Sequence, residues 1–302
     1  MDSSVEVSVI IPSYNGAGKI PFLLESLLKQ SIDSFEVIVV IDGSDDNTQE
    51  VLKPYEQRFT HLRIVSQNNQ GRSVTRNNGA KISSGNLLIF YDDDIIAPTG
   101  AIKRHIDFHN HNYGLLCGDL IEISGNGRSD IQNYKAWLTA KWTGKYGDGI
   151  SRMSQDQLFF TAANCSIRRN LFSQLNGFNP DLTDAEDYDI AYRALESGLS
   201  VFYDKGNYVV HNDEISCLSY IRRLREYSAA QKKLPVNYAS GVPEKDRFRI
   251  LKKIIYKGFA FRFWVRLIDA GVIASVLPRG IRYKMYSTII QALAYEHGGV
   301  RL

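Results

Sequence analysis

Between residues 7 and 91, short β-branched runs alternate with helical stretches, and no other feature of the chain restricts the fold as much. Residues 7–11 form a β-branched run closed by Pro12, and residues 19–30 follow with Leu23, Leu24, Leu27 and Leu28 at helical spacing. Residues 35–41 read as a second strand, broken by Asp42-Gly43-Ser44, with a helix behind it N-capped by Asp45 or Asp46. Residues 62–65 are a third strand, 73–83 a third helix and 87–91 a fourth strand. Strand–helix–strand repetition of this kind predicts an α/β fold, a parallel sheet with helices on both faces. In such sheets the ligand lies beyond the C-terminal strand ends. Ser13-Tyr14-Asn15, Asp42-Gly43-Ser44 and Asp92-Asp93-Asp94 all fall there.

The acidic run is the most pointed of these. Asp92, Asp93 and Asp94 directly follow Leu-Leu-Ile-Phe-Tyr, so three carboxylates crowd one strand end. They repel one another unless something positive sits there, and a hard divalent cation with oxygen ligands is the economical answer. The plainer alternative is an acidic turn on solvated surface.

At 302 residues the chain has room for one large domain or two smaller ones. Hydrophobic residues make up 44% and charged residues 23%, an ordinary globular profile. The net charge of +3 hides an asymmetry. Residues 1–214 carry 19 Lys and Arg against 28 Asp and Glu, a net of −9, whereas residues 215–302 carry 17 against 5, a net of +12. The acidic part is expected to hold the chemistry and the basic part to meet something anionic. The three cysteines, Cys117, Cys165 and Cys217, form no CxxC pair, which argues against zinc ribbons and disulfide scaffolds and for a reducing compartment. The opening Met-Asp-Ser-Ser-Val-Glu lacks a signal peptide's basic start and apolar stretch. The uncharged apolar stretch 270–277 is far short of the ~20 residues a spanning helix needs. A cytoplasmic chain, without a spanning helix, is expected.

Beyond residue 112 the pattern loosens. Residues 124–160, with Tyr134, Trp137, Trp142 and Tyr146, read as a loop-rich insertion with a helix near 132–142. Helix and short strand return over 161–212, and 216–233 and 246–266 look like basic helices. Two phosphate-binding signatures fail at Gly16-Ala17-Gly18-Lys19. A Walker loop lacks its Ser/Thr at Ile20 and its first glycine at position 13, and G-x-G-x-x-G meets Pro21 at its third glycine. Asp42-Gly43-Ser44 is either a turn entering a helix cap or a carboxylate for a nucleobase. Arg76 is either a surface arginine or a cation near a base or diphosphate. Glu186, Asp187 and Asp189 either complement a helix dipole or include a general base. His211 ends the apolar strand 208–210 as a structural histidine or as a metal ligand beside carboxylates.

Taken together these blocks resemble the family 2 glycosyltransferases of the GT-A fold, whose sheet is Rossmann-like and mostly parallel. The resemblance is carried by Val-Ser-Val-Ile-Ile-Pro-Ser-Tyr-Asn at 7–15, residues 37–44 with Asp46-Asn47-Thr48, and residues 68–79 with Gly71 and Arg76-Asn77-Asn78-Gly79. Phe90-Tyr91-Asp92-Asp93-Asp94 continues it, as do 164–169, Asn176-Gly177-Phe178, Glu186-Asp187-Tyr188-Asp189 and His211. It runs from about residue 7 to 212 and leaves the tail outside. Asn176, where the family often has glycine, is a departure confined to a turn.

The resemblance implies a catalytic domain over 1–214, with a nucleotide-binding half to about 112 and an acceptor half over 113–214, and a basic helical extension over 215–302. It implies an inverting, metal-dependent transfer from a nucleotide-diphosphate sugar to a hydroxyl of a glycan or lipid-linked acceptor, with no nucleic-acid partner. Pro12, Tyr14, Asn15, Asp42, Arg76, Asp92 and Asp93 would serve the nucleotide, Asp42 at the base and Asp92 at the ribose. Asp94 would bind Mn²⁺ or Mg²⁺, with His211 as a further ligand, and Asp187 would be the base, with Glu186 the second choice. The basic tail, with Arg262 and Arg266 beside Phe261, Phe263 and Trp264, suggests peripheral contact with anionic lipid at the inner membrane face; packing as a helical subdomain or dimer partner is the alternative. Two other classes stay open: a non-catalytic nucleotide- or carbohydrate-binding relative, and a sugar-phosphate nucleotidyltransferase, whose glycine-rich basic loop is not what residues 13–18 provide.

Overall fold

The computed structural model describes residues 6–232, 234 and 255–296. Its chain divides into two compact units, one of Met1–Ile121 with Thr143–Asp213 and one of Glu122–Trp142 with Glu214–Leu302.

The first unit is built on a sheet of nine strands in the order β3-β2-β1-β4-β8-β6-β9-β5, with β7 pairing β9. These are β1 (Val7–Ser13), β2 (Phe35–Asp42), β3 (Leu62–Gln67), β4 (Leu87–Tyr91), β5 (Ile95–Ile96), β6 (Leu115–Glu122), β7 (Ile150–Arg152), β8 (Asn164–Arg168) and β9 (Val201–His211). The first four strands are parallel, as the alternation over 7–91 predicts. From β8 onward the sheet turns antiparallel: β8 pairs β4 and β6, and β9 pairs β5 and β7.

Both faces of the parallel half are covered, so its strands read as continuous apolar runs. The period of two still sorts them. Val7, Val9 and Ile11 join Val37, Val39, Ile41, Leu87 and Ile89 on one face, under α1 (Ile20–Leu27). Ile10, Leu88 and Phe90 point to the other, where they meet Ala80 of α3 (Arg72–Ile82), Leu171 of α6 (Arg169–Gln174) and Ile190 of α7 (Glu186–Glu196). Each such fully buried side chain contributes about 1.5–3 kcal/mol. Gly79 lets α3 approach closely, because a Cβ there would stand 2.5 Å from Ile10 Cγ2.

Several boundaries move. Strand β1 runs through Pro12 to Ser13 rather than stopping before the proline. Its pairing with β4 has ended by Ile10 while that with β2 continues to Ser13, so Pro12 lies where the strand is bonded on one side only. A missing N–H is tolerated there. The helix after β2 is α2 (Thr48–Leu52), with Asn47 in the N-cap position, yet Asp46 Oδ1 still accepts the Thr48 amide at 3.1 Å.

The second unit gathers α5 (Asp130–Thr143) up to Trp142 with α8 (Cys217–Gln231) and the helices Arg262–Asp269, Val272–Val276 and Arg279–Gln291. The helix expected near 132–142 therefore exists, but it shares a core with the tail: Ile131 and Tyr134 pack with Cys217, Ile221, Tyr283, Tyr286 and Ile289. Arg282 fixes it there through Asp130, accepted at 2.9 and 2.8 Å. The single helix expected over 246–266 is not found. Its first residues lie outside the described ones, residues 255–259 are helical, and a new helix starts at Arg262. Among the described residues no helix is long and apolar enough to cross a membrane.

Candidate active site

The three acids after β4 each take a partner from a different element. Asp92 Oδ1 accepts from Arg76 Nη2 of α3 at 2.6 Å. Asp93 Oδ2 accepts from the Ser13 hydroxyl at the end of β1 at 2.7 Å, and its Oδ1 lies 3.5 Å from Lys19 Nζ. Asp94 Oδ1 lies 3.2 Å from Nε2 of His211, the last residue of β9, which the antiparallel pairing of Ile95 with His211 brings alongside. Much of the repulsion that the sequence alone assigns to a metal ion is thus answered by protein groups. Burial pushes the Asp93 carboxyl up to about 6, Lys19 and the Ser13 hydroxyl pulling against it. Burial also opposes the charge of Lys19, but Asp93, Asp94 and Asp213 outweigh it and hold its pKa above the ordinary value. Gly16 gives this arrangement its room, since a Cβ there would stand 2.1 Å from Ser13 Oγ and 2.5 Å from Asp93 Oδ2.

Arg76 is not on the surface: it is 1% exposed. One terminal nitrogen serves Asp92 and the other donates to Glu186 Oε1 at the start of α7. Burial works against its charge, and Asp92, Glu186 and Asp187 more than restore it, holding the pKa above the ordinary range. The guanidinium also faces the Phe178 ring, 5.7 Å from its centroid. The segment around Phe178 is tied to α3 by Asn77, whose Nδ2 donates to Phe178 O at 2.7 Å while its Oδ1 accepts the Phe178 amide at 3.0 Å. Ser73 Oγ adds a bond to Leu182 O at 2.8 Å. Asn176 stands in the left-handed region at φ 57, which Asn tolerates better than most residues. Its departure from glycine therefore leaves the turn intact.

Asp187, beside Glu186, has no such cation of its own. Its Oδ1 accepts the Tyr188 amide at 2.7 Å and its Oδ2 the Ala162 amide at 3.3 Å. Burial and then the neighbouring Glu186 charge push its carboxyl up to about 7, with Arg76 pulling it down. Asp189 turns away and pairs with Arg193 Nε at 2.8 Å.

On the other side of β1, Asp42 is buried and accepts three hydrogen bonds, which leave one lone pair of Oδ2 open. Its Oδ1 accepts from Gln67 Nε2 and the Gln70 amide, both at 2.8 Å, and its Oδ2 from the Gly71 amide at 2.9 Å. Tyr14 and Asn15 are exposed just past β1. Asn15, at φ 50, bridges to the next loop: its amide donates to Ser44 Oγ at 3.0 Å and its Oδ1 accepts the Asp45 amide at 2.9 Å. Pro12 is buried within the strand.

Among the described residues no three His, Cys, Asp or Glu side chains converge as a metal cage. Asp94 and His211, 3.2 Å apart, would supply two ligands to an ion held between them. A carboxylate and an imidazole suit Mn²⁺ or Mg²⁺ when phosphate oxygens and water complete the shell, as such ions commonly require.

Sequence reading missed Ser13 and Lys19 as members of this cluster. Lys19 belongs in sequence to the failed phosphate loop, and nothing local to Ser13 points 80 residues ahead to Asp93. It also missed Gln67 and Gly71 as the groups that hold Asp42.

The sequence model described as "Glycosyl transferase family 2" matches residues 8–175. An uncharacterized glycosyltransferase of Haemophilus influenzae is 43% identical over 190 residues, 63% of this chain and 62% of that protein. The uncharacterized glycosyltransferase EpsJ of Bacillus subtilis is 35% identical over 206 residues, 67% of this chain and 60% of that protein. The matches span less than two thirds of either relative's length. Among solved structures, mannosyltransferase PcManGT from Pyrobaculum calidifontis, in complex with GDP-Man and Mn²⁺, superposes at a TM-score of 0.63 with 16% identity, covering 98% of this chain and 88% of that one. S. aureus TarS 1-349 in complex with UDP-GlcNAc gives 0.55 with 18% identity, covering 95% and 79%. At these identities the likeness establishes the fold.

The buried guanidinium gives a stability prediction. Arg76→Ala leaves Glu186 buried without its counter-ion, and urea denaturation should register a loss of about 3–5 kcal/mol. Unchanged stability would mean that the two acids are not held by Arg76.

Proposed function

Because the chain belongs to glycosyl transferase family 2, we propose that it transfers a sugar from a nucleotide-diphosphate donor to a hydroxyl of a glycan or lipid-linked acceptor, with inversion and with the help of a divalent cation. The observation that carries this reading is the division of partners along Asp92, Asp93 and Asp94, which sets Asp94 Oδ1 3.2 Å from the His211 imidazole, a second candidate ligand. Complexes of fold relatives with GDP-Man and Mn²⁺ and with UDP-GlcNAc support the donor class.

In this reading the nucleotide lies across the C-terminal ends of β1, β2 and β4. Asp42, with Pro12, Tyr14 and Asn15 around it, serves the base, and Asp92, partly open to solvent, serves the ribose. Arg76 acts on the nucleotide through Asp92, which it orients, and Asp93 keeps Lys19 and the β1 end in register. Asp94 and His211 would hold Mn²⁺ or Mg²⁺, which offsets the charge that builds on the diphosphate oxygens as the glycosidic bond breaks. Asp187 takes the proton of the acceptor hydroxyl as that oxygen attacks the far face of the anomeric carbon. Glu186 is the weaker candidate because Arg76 already occupies it. One displacement with inversion needs no enzyme nucleophile, and Cys117 and Cys165 are buried with thiols pushed up by burial.

A membrane-facing role for the second unit is supported by the helix Arg262–Asp269. Val265 and Ile268 face its core, while Phe261 and Phe263 are 59% and 60% exposed beside the exposed Arg262 and Arg266. An apolar edge flanked by arginines suits the headgroup boundary of an anionic leaflet, at the inner face of a membrane.

Four outcomes are expected. Calorimetric titration of UDP, GDP and dTDP should find one nucleotide whose affinity rises with Mn²⁺, and Asp94→Asn should weaken that affinity at least about tenfold; a metal response preserved in the mutant would refute the ligand assignment. Asp187→Asn should keep donor binding while kcat drops about 10²–10⁴-fold. A base must be ionised to work, so kcat of the wild type should rise through a midpoint near pH 7 and then level off. A flat profile between pH 5 and 9 would count against Asp187. Finally, Phe261→Ser with Phe263→Ser should abolish co-sedimentation with phosphatidylglycerol vesicles, whereas unchanged co-sedimentation would reject the membrane role.

A further inference from the structure

The second unit contains a cavity of about 620 Å³ between α5 and the helix Arg279–Gln291. Trp137 and Lys141 line one wall, and Arg279, Tyr283, Lys284 and Ser287 the other. No carboxylate is among its lining residues. Its cations are held by aromatic faces instead. Lys141 Nζ lies over the Trp137 ring at 5.3 Å and Arg279 Cζ over Tyr283 at 5.3 Å, while the two rings are 5.5 Å apart.

Arg282, on the same helix, shows what a structural cation looks like in this unit. It also lies over Tyr283, at 5.5 Å, but its guanidinium is satisfied by both oxygens of Asp130 and it stays out of the cavity wall. Lys141, Arg279 and Lys284 have no such carboxylate among the described residues. Like charges gathered without acids repel one another, and a concave wall holds them closer than an open surface would. An anion relieves that repulsion and gains charge-assisted hydrogen bonds from all three. The aromatic edge calls for something else, a ligand that also carries an apolar ring face; the Ser287 hydroxyl beside it already bonds the Tyr134 hydroxyl at 2.8 Å.

We infer that this groove binds an anionic saccharide, its phosphate or carboxylate seated among Lys141, Arg279 and Lys284 and a sugar ring against Trp137. The anion preference rests on the groove alone; the saccharide part rests on the transferase reading, for which such a segment would be acceptor rather than donor. The groove's concavity favours a ligand of a few sugar units over a flat lipid surface, for which the exposed Phe261 and Phe263 are better shaped.

The test uses the full chain and its tryptophan fluorescence. Hyaluronan hexasaccharide (carboxylated) and pentamannosyl 6-phosphate (phosphorylated) are titrated beside maltohexaose, inorganic phosphate and phosphatidylglycerol vesicles. At least one anionic saccharide should change the emission, Trp137→Phe should remove that change, and Lys141→Ala with Lys284→Ala should weaken binding at least tenfold. Both lysines are exposed, so the double variant should keep its circular dichroism and its nucleotide affinity. No response to either anionic saccharide overturns the proposal, as does equal binding by maltohexaose, by inorganic phosphate alone or by the double variant. A response confined to vesicles would make the groove a lipid site. Saccharide binding in a chain that binds no nucleotide would sink the transferase reading and leave the groove standing.

Discussion

The first unit is organised around one buried positive charge. A guanidinium 1% exposed to solvent is expensive to desolvate, and it is tolerated here because two carboxylates reach it from opposite sides. Asp92 comes from the end of β4 and Glu186 from the first turn of α7, so Arg76 ties a strand end to a helix start 94 residues further along the chain. Neither acid can move far without stranding the charge. The placement of Asp187, next to Glu186, is inherited from that constraint, and so is the orientation of Asp92. The bonds of Asn77 and Ser73 to the segment leading into α7 serve the same end from the same helix.

The same arrangement separates two adjacent acids by environment. Glu186 is ion-paired, and its second oxygen is buried without a hydrogen-bond partner. Asp187 receives two backbone amides but no cation of its own, and burial lifts its carboxyl into the neutral range. Neighbouring carboxylates whose surroundings differ in this way are suited to different tasks, one fixed as a clamp and the other free to exchange a proton. The order of Glu and Asp in the sequence gives no hint of which is which. The difference arises from Arg76, 110 residues away from Glu186.

That distance marks the boundary of what the sequence made legible. The parallel half of the sheet was readable because each strand is a short β-branched run and each link a helix, so local pattern and connection agree. The antiparallel half was not: the pattern over 161–212 gives only helix and short strands, 115–122 carries no such signal, and nothing in either selects the order β4-β8-β6-β9. Helix α5 was visible as a helix, but its apolar positions are scattered around its circumference, and its place in the second unit's core depends on partners some 90 to 160 residues later. Candidate site residues are legible where a motif spans a few positions, as at Asp92–Asp94 and Glu186–Asp187. Ser13 and Lys19 escaped because their role is defined only by a side chain 74 or more positions away.

The acidic run itself shows why pattern and geometry have to be read together. Three consecutive carboxylates suggest a metal through their summed charge, yet charge summed along the chain is not charge summed in space. Asp92 is offset by a full guanidinium and Asp93 by a hydroxyl and an ammonium. Asp94 meets the imidazole of His211, a side chain that is itself a common metal ligand. The demand for a divalent cation therefore narrows from three acids to one acid and one histidine. In the proposed reading two protein ligands would make a weak site, and weakness would be appropriate if the remaining positions were filled by the diphosphate of a donor. The cation and the nucleotide would then bind as a unit, each supplying part of the other's site.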